Sequence, residues 1–202
     1  MKKNNKAIVN FLFEVGILSK TPRSGFHFLG SGKQSVAEHT NRTVYAGYVL
    51  ALLEGDVDMG KVLQMCLLHD LAEARTSDLN YVHQKYVSAD EKHAMNDLAS
   101  TLPFGKDLLG ILQEYSKRES KESIIAKDAD NLDWILSLKE EVDIGNTRAK
   151  SWLPSAVKRL KTKTAISLAN QILETNSDDW WFAKKDDEWW VKRDKKSLKK
   201  RF

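Results

Sequence analysis

Apolar residues along this chain recur every three or four positions far more often than every second position, a period that predicts helices rather than strands. Residues 4 to 18 place Ile8, Phe11, Leu12 and Val15 on one stripe. Residues 19 to 34 contain Pro22, Gly25, Gly30 and Gly32 and read as a loop. Ser35 and Glu38 form a capping box, in which each side chain serves the other residue's backbone N–H. That box opens a helix to about Leu53, ended by Gly55, and a second helix is predicted over residues 59 to 75. Ser88 with Glu91 reads as another box, opening a helix to about Thr101 that Pro103 breaks. A short helix over residues 108 to 115 follows, then a long one over 120 to 143, stopped near Gly145-Asn146. The last predicted helix covers residues 152 to 174, with Pro154 in its first turn. The expected fold is all-α: seven or eight helices in one compact body over residues 1–175, then a Trp-rich, basic extension over 176–202.

Composition narrows the class. At 202 residues, 42% hydrophobic and 30% charged, the chain suits one soluble globular domain and not a disordered one. One cysteine, Cys66, excludes an intramolecular disulfide framework. No apolar run approaches the roughly 18 residues a membrane span needs, and no apolar leader follows the basic start Met1-Lys2-Lys3. A cytoplasmic protein with no membrane partner is the expectation. The net charge of +4 belongs to the end of the chain. Residues 191 to 202 hold seven Lys or Arg against one Asp, so the remainder is near −2. The body is not a basic nucleic-acid binder; weak contact with RNA or DNA falls to the tail. The Trp180-Trp181 and Trp189-Trp190 pairs read as aromatic anchors for that extension.

The chemistry gathers in Leu67-Leu68-His69-Asp70-Leu71-Ala72-Glu73, where polar groups interrupt a helix that reads as apolar nearly all round. Burying His, Asp and Glu together is costly unless they pair or hold a cation. His69 and Glu73, at i and i+4, are expected on one face. His39 lies beside Thr43, Ala46 and Leu50 and faces inward, whereas His27, His83 and His93 read as solvated. The helix over 120 to 143 supplies Asp128, Asp130 and Asp133. Its period puts Asp128 on the apolar stripe and Asp130 on the other face, so it nominates Asp128, or else both faces are buried.

Taken in order, Val36-Ala37-Glu38-His39, then His69-Asp70-x-x-Glu73-x-x-x-x-Asp78, then Ala126-Lys127-Asp128-Ala129-Asp130 resemble the HD-domain metal-dependent phosphohydrolases. Within them the chain is most similar to the branch of the bacterial 5'-deoxynucleotidase (YfbR type), over roughly residues 8 to 173. The resemblance implies an all-α fold and one divalent metal ion held by His39, His69, Asp70 and Asp130. It therefore selects Asp130 over Asp128. Two imidazoles and two carboxylates suit Mn, Co, Fe, Ni or Zn better than Mg. Glu73 is then the group that orients or deprotonates water. Arg23 resembles the family's phosphate-gripping arginine, and Phe26 stands where relatives often have Trp, placed to stack on a base. Asp78 protonates the leaving oxygen or binds the sugar. A homodimer is also implied.

The leading expectation is hydrolysis of deoxynucleoside 5'-monophosphates, a small-molecule nucleotide substrate. The alternatives are an HD phosphohydrolase acting on a nucleoside triphosphate or an alarmone, and a non-enzymatic helical protein that binds a partner or nucleic acid through its tail. A P-loop is absent.

Overall fold

The computed structural model describes residues 2–183. Its helices are α1 (Lys2–Val15), α2 (Phe26–Leu29), α3 (Val36–Glu54), α4 (Met59–Leu68), α5 (Glu73–Thr76) and α6 (Glu91–Thr101). The second half holds α7 (Gly105–Lys117), α8 (Lys121–Asp143), α9 (Thr147–Val157), α10 (Lys163–Glu174) and α11 (Asp179–Phe182). Among the described residues there is no strand; one isolated antiparallel bridge joins Pro22 to Ser35. Trp189-Trp190 and the basic run 191–202 lie outside the described residues.

α8 is the axis. It packs against α3, α4, α7, α9 and α10, and both of its faces are buried, with Ile125, Ala129, Leu132, Ile135 and Leu138 in the core. A helix enclosed all round loses the polar stripe that periodicity uses to assign a face. The capping box at Ser35 forms as read: Ser35 Oγ accepts from Glu38 N at 3.2 Å, and Ser35 N donates to Glu38 Oε2 at 2.6 Å. α3 approaches α4 closely because Gly47 has no side chain; a Cβ there would sit 2.5 Å from Cys66 Sγ.

Four sequence expectations fail, each for a local reason. Residues 59 to 75 are not one continuous α-helix. After Leu68 the backbone tightens to i→i−3 bonds, Leu71 N to Leu68 O at 3.0 Å and Glu73 N to Asp70 O at 3.0 Å. Nor is α4 apolar all round in its setting, since Leu67 is 57% exposed. The cap of α6 is Asp90, which accepts from His93 N at 2.9 Å, rather than Ser88. The helix expected over 152 to 174 is two helices, and Pro154 lies in the interior of α9, not in a first turn.

The break between α9 and α10 is made by Asp128. Its carboxylate is 1% exposed and accepts from Lys161 N at 2.9 Å, Thr162 N at 2.7 Å and Thr162 Oγ1 at 2.8 Å. The N–H groups that would continue a helix bond to a side chain 33 residues away instead. Asp128 is thus committed to architecture. Asp128→Ala is expected to lower unfolding free energy by on the order of 1–3 kcal/mol for the stranded donors. Denaturant titration checks it, and an unchanged midpoint would contradict this role.

Candidate metal centre and its two cavities

The loop before α3 is closed at its stem. Arg23 N donates to Gln34 O at 2.8 Å and Val36 N to Thr21 O at 2.9 Å. A second fastening ties it to the chain after α5: Ser24 N donates to Asp78 Oδ2 at 2.5 Å and Ser24 Oγ to Asp78 O at 2.7 Å. Ser77, just before Asp78, turns with φ 62° and ψ 162°, a conformation that favours glycine and costs about 1–3 kcal/mol in other residues. These fastenings bring Arg23 and Asp78 to the wall formed by Asp70 and Glu73.

Three acceptor atoms, His39 Nε2, His69 Nε2 and Asp70 Oδ2, converge there within 4.8 Å of one another, and Asp130 adjoins the group through His39. His39 Nε2 lies 3.2 Å from His69 Nε2, 3.4 Å from Asp70 Oδ2 and 3.3 Å from Asp130 Oδ1. His69 Nε2 is 3.3 Å from Asp70 Oδ2. The partners on the other side of each ring fix the tautomers. His39 Nδ1 meets the Asp133 carboxylate at 2.5 Å, and His69 Nδ1 meets the Cys66 carbonyl at 2.9 Å. Each Nδ1 therefore carries the hydrogen, and in the neutral rings each Nε2 presents a lone pair to the other. Two lone pairs and the Asp70 oxygen at this spacing repel unless positive charge sits among them. Adjacent ligands about 2.1 Å from one ion lie about 3 Å apart, so these three donors fit a divalent metal, with Asp130 beside His39.

The same geometry accounts for the protonation pattern of the metal-free centre. Burial opposes a charge on His39, but the Asp130 and Asp133 carboxylates outweigh it and raise its pKa to about 9. Burial likewise pushes Asp70 up, and the facing imidazoles of His69 and His39 overcome it, leaving the carboxyl at about 2. Burial, followed by the charges of Asp70 and Asp78, raises Glu73 to about 9. Glu73 Oε2 is buried with no hydrogen-bond partner.

Most of the expected residues gather here, with two changes. Asp130, the residue the resemblance selects over Asp128, lies against His39, and its second oxygen is held by Lys127 Nζ at 2.6 Å. His69 and Glu73 do not share a face. The tightened turn puts residues three apart in line, so Asp70 and Glu73 line one cavity while His69 opens on another. Phe26 does not reach the substrate side. It is 8% exposed and packed edge-on to Trp134 at 5.4 Å. Trp134 and Trp152 supply the aromatic wall instead, their rings 6.3 Å apart. His27, His83 and His93 are exposed, as their polar surroundings suggest.

The first cavity, of about 590 Å³, contains Arg23, Asp70, Glu73, Asp78 and Asp130. Arg23 Nη1 donates to Asp70 Oδ2 at 3.3 Å. The second, of about 620 Å³, reaches His69 and Asp70 from between α6 and α7; Asp70 and Lys127 line both. Sequence reasoning missed the residues behind the centre. Asp133 is held by Arg42 Nε at 2.5 Å and Gln34 Nε2 at 3.2 Å. The available signal was its i,i+3 spacing from Asp130 on an otherwise apolar helix.

Comparison with known proteins follows the same lines. A family model described as the HD domain matches residues 15–172. The 5'-deoxynucleotidase HDDC2 of Danio rerio is 28% identical over 141 residues, covering 66% of this chain and 68% of that protein. A 5'-deoxynucleotidase of Photorhabdus laumondii is 28% identical over 127 residues, covering 56% of this chain and 64% of that protein. The chain thus spans about two thirds of the length of these relatives. A solved structure of a conserved hypothetical protein from Pyrococcus furiosus superposes with a TM-score of 0.67 at 25% identity, covering 83% of this chain and 99% of that one.

Since His39 holds its proton up to about pH 9 without metal, an ion entering the centre must displace it. Glu73, also raised to about 9, gives up its proton to the same charge, so about two protons are expected to be released per ion bound near pH 7.5, with apparent affinity falling roughly a hundredfold per pH unit below 9. Calorimetric titration in buffers of different ionisation enthalpy measures that release. Binding without proton release would show that His39 Nε2 is not displaced.

Proposed function

From the premise that the chain belongs to the HD-domain family of metal-dependent phosphohydrolases, we propose that it removes the 5'-phosphate from deoxynucleoside monophosphates. The observation that carries this reading is the convergence of His39 Nε2, His69 Nε2 and Asp70 Oδ2, with Asp130 Oδ1 3.3 Å from His39 Nε2, beside Arg23 and Glu73. The 5'-deoxynucleotidase names of the relatives support the nucleotide class. His39, His69, Asp70 and Asp130 hold one divalent ion, and their mixed nitrogen and oxygen donors suit Mn, Co, Fe, Ni or Zn better than Mg. When bound, the ion supplies charge neutralisation for the phosphoryl group and acidifies a water.

The chain's own residues do the rest. Arg23 aims a planar guanidinium into the first cavity and binds two phosphate oxygens. Burial and the cavity's carboxylates hold Glu73 protonated when the centre lacks positive charge. With that charge in place it returns to the carboxylate form and takes the proton from the attacking water. Trp134 and Trp152 offer a flat apolar surface for the base, with little preference among bases. Asp78, fixed through Oδ2 to Ser24, is the carboxylate on the wall for the sugar. Two guanidiniums and one ammonium among four carboxylates match a single terminal phosphate better than a triphosphate.

A phosphate-release screen over nucleotides with a panel of divalent ions tests the reading. Several deoxynucleoside 5'-monophosphates are expected as the best substrates, with ribonucleotides and 3'-phosphates poor. Faster turnover of a triphosphate would overturn it. Glu73→Gln is expected to keep the ion and lower kcat by about 10²-fold or more, with KM little changed. Arg23→Ala is expected mainly to raise KM while the ion stays bound. Turnover and elemental analysis on the same samples separate the two roles; near-normal kcat in Glu73→Gln would assign Glu73 to structure.

A further inference from the structure

The second cavity differs from the first in charge. The first carries Arg23, Lys127 and Arg159 against Asp70, Glu73, Asp78 and Asp130, an excess of carboxylates. The second carries Lys92, Lys117, Arg118 and Lys127 against Glu91 and Asp70, an excess of cations. Lys127 is spent on Asp130, but among the described residues Lys92 and Lys117 have no carboxylate partner. The unpaired cations come from two helices, Lys92 from α6 and Lys117 with Arg118 from the end of α7, so they are not the run of one solvated face.

One of these cations is fixed in place. Arg118 caps α7 with φ 58°, left-handed for a residue with a side chain. Its guanidinium lies 3.3 Å over the Tyr115 ring, and Nη1 donates to Ser123 O at 3.4 Å. A guanidinium held by stacking keeps donors for a ligand and loses little freedom on binding one. Tyr115 in turn donates to Asp130 Oδ2 at 3.4 Å, so this wall is built on the metal centre itself.

We propose that the second cavity is an anion site that takes a polyphosphate chain, such as that of a nucleoside triphosphate. A single phosphate reaches the cations of one side. A chain of linked phosphates reaches from Arg118 and Lys117 on one side to Lys92 on the other, and so engages all three cations that have no carboxylate partner. The site shares Asp70 and Lys127 with the substrate cavity but takes its unpaired cations from residues that cavity lacks, and it does not depend on which nucleotide that cavity takes.

The test is calorimetric titration of the metal-loaded protein with inorganic tripolyphosphate. About one equivalent is expected to bind, more weakly as salt rises. The double variant Lys92→Ala/Lys117→Ala is expected to lose about tenfold or more in affinity, whereas Arg23→Ala binds as the unaltered protein does. Tripolyphosphate also complexes divalent ions, so the ion content of the recovered protein is measured. Binding that occurs only with loss of the ion counts against the site. So does loss of binding in Arg23→Ala with retention in the lysine variant, which would put the anion in the first cavity. No saturable binding would also overturn the proposal. Monophosphate hydrolysis assayed on the same preparations reports separately on the first cavity.

Discussion

The structure turns on a fully buried imidazole with both nitrogens committed. His39 has no exposed surface, and it joins α3 to α8 by its bond to Asp133 on one side and faces Asp130 on the other. Arg42 and Gln34 complete the hydrogen bonding of Asp133, so the charge behind the ring is matched rather than stranded. Removing one member of such a buried set typically costs 3–5 kcal/mol, because its partner is left uncompensated. α3 and α8 therefore cannot slide without breaking the centre, and the packing of the body is subordinate to that requirement.

The remaining parts are brought to this pair by backbone devices. A turn of i→i−3 bonds after Leu68 rotates Asp70 and Glu73 to one side and leaves His69 on the other. A loop closed at its stem and pinned to Asp78 carries Arg23 across. Neither device is a long element with its own propensity; the turn is made by bonds three residues apart, and the loop is held by contacts over 47 residues, Arg23 with Asp70, and 54, Ser24 with Asp78.

What could be read along the chain follows from this division. Ser35 with Glu38, the apolar stripes and the spacing of His39, His69, Asp70 and Asp130 are local or ordered signals, and they were legible. The split between α9 and α10 was not, because Asp128 imposes it from another helix. Periodicity could not separate Asp128 from Asp130, since α8 buries both faces and a wheel has no solvent side for reference. Phe26 drew the aromatic role because it stands where the resembled family often has Trp, yet a short helix turned it into the core and left the wall to Trp134. Asp133 looked like one more acid on the same helix; only the fold shows that it stands behind His39.

Asp70 and Lys127 belong to the walls of both cavities. Two ligands that share wall residues are energetically linked, and linkage is reciprocal: whatever factor an occupant of one cavity imposes on affinity in the other, it receives in return. The sign follows from which state of the shared pair each ligand prefers. An anion that draws Lys127 away from Asp130 releases negative charge toward the metal centre and tightens a cation there. A ligand that leaves that ion pair intact couples to the other side only through direct charge interaction and the shared Asp70. The i,i+3 contact between Lys127 and Asp130 is thus the place where cooperativity between the two cavities would be set.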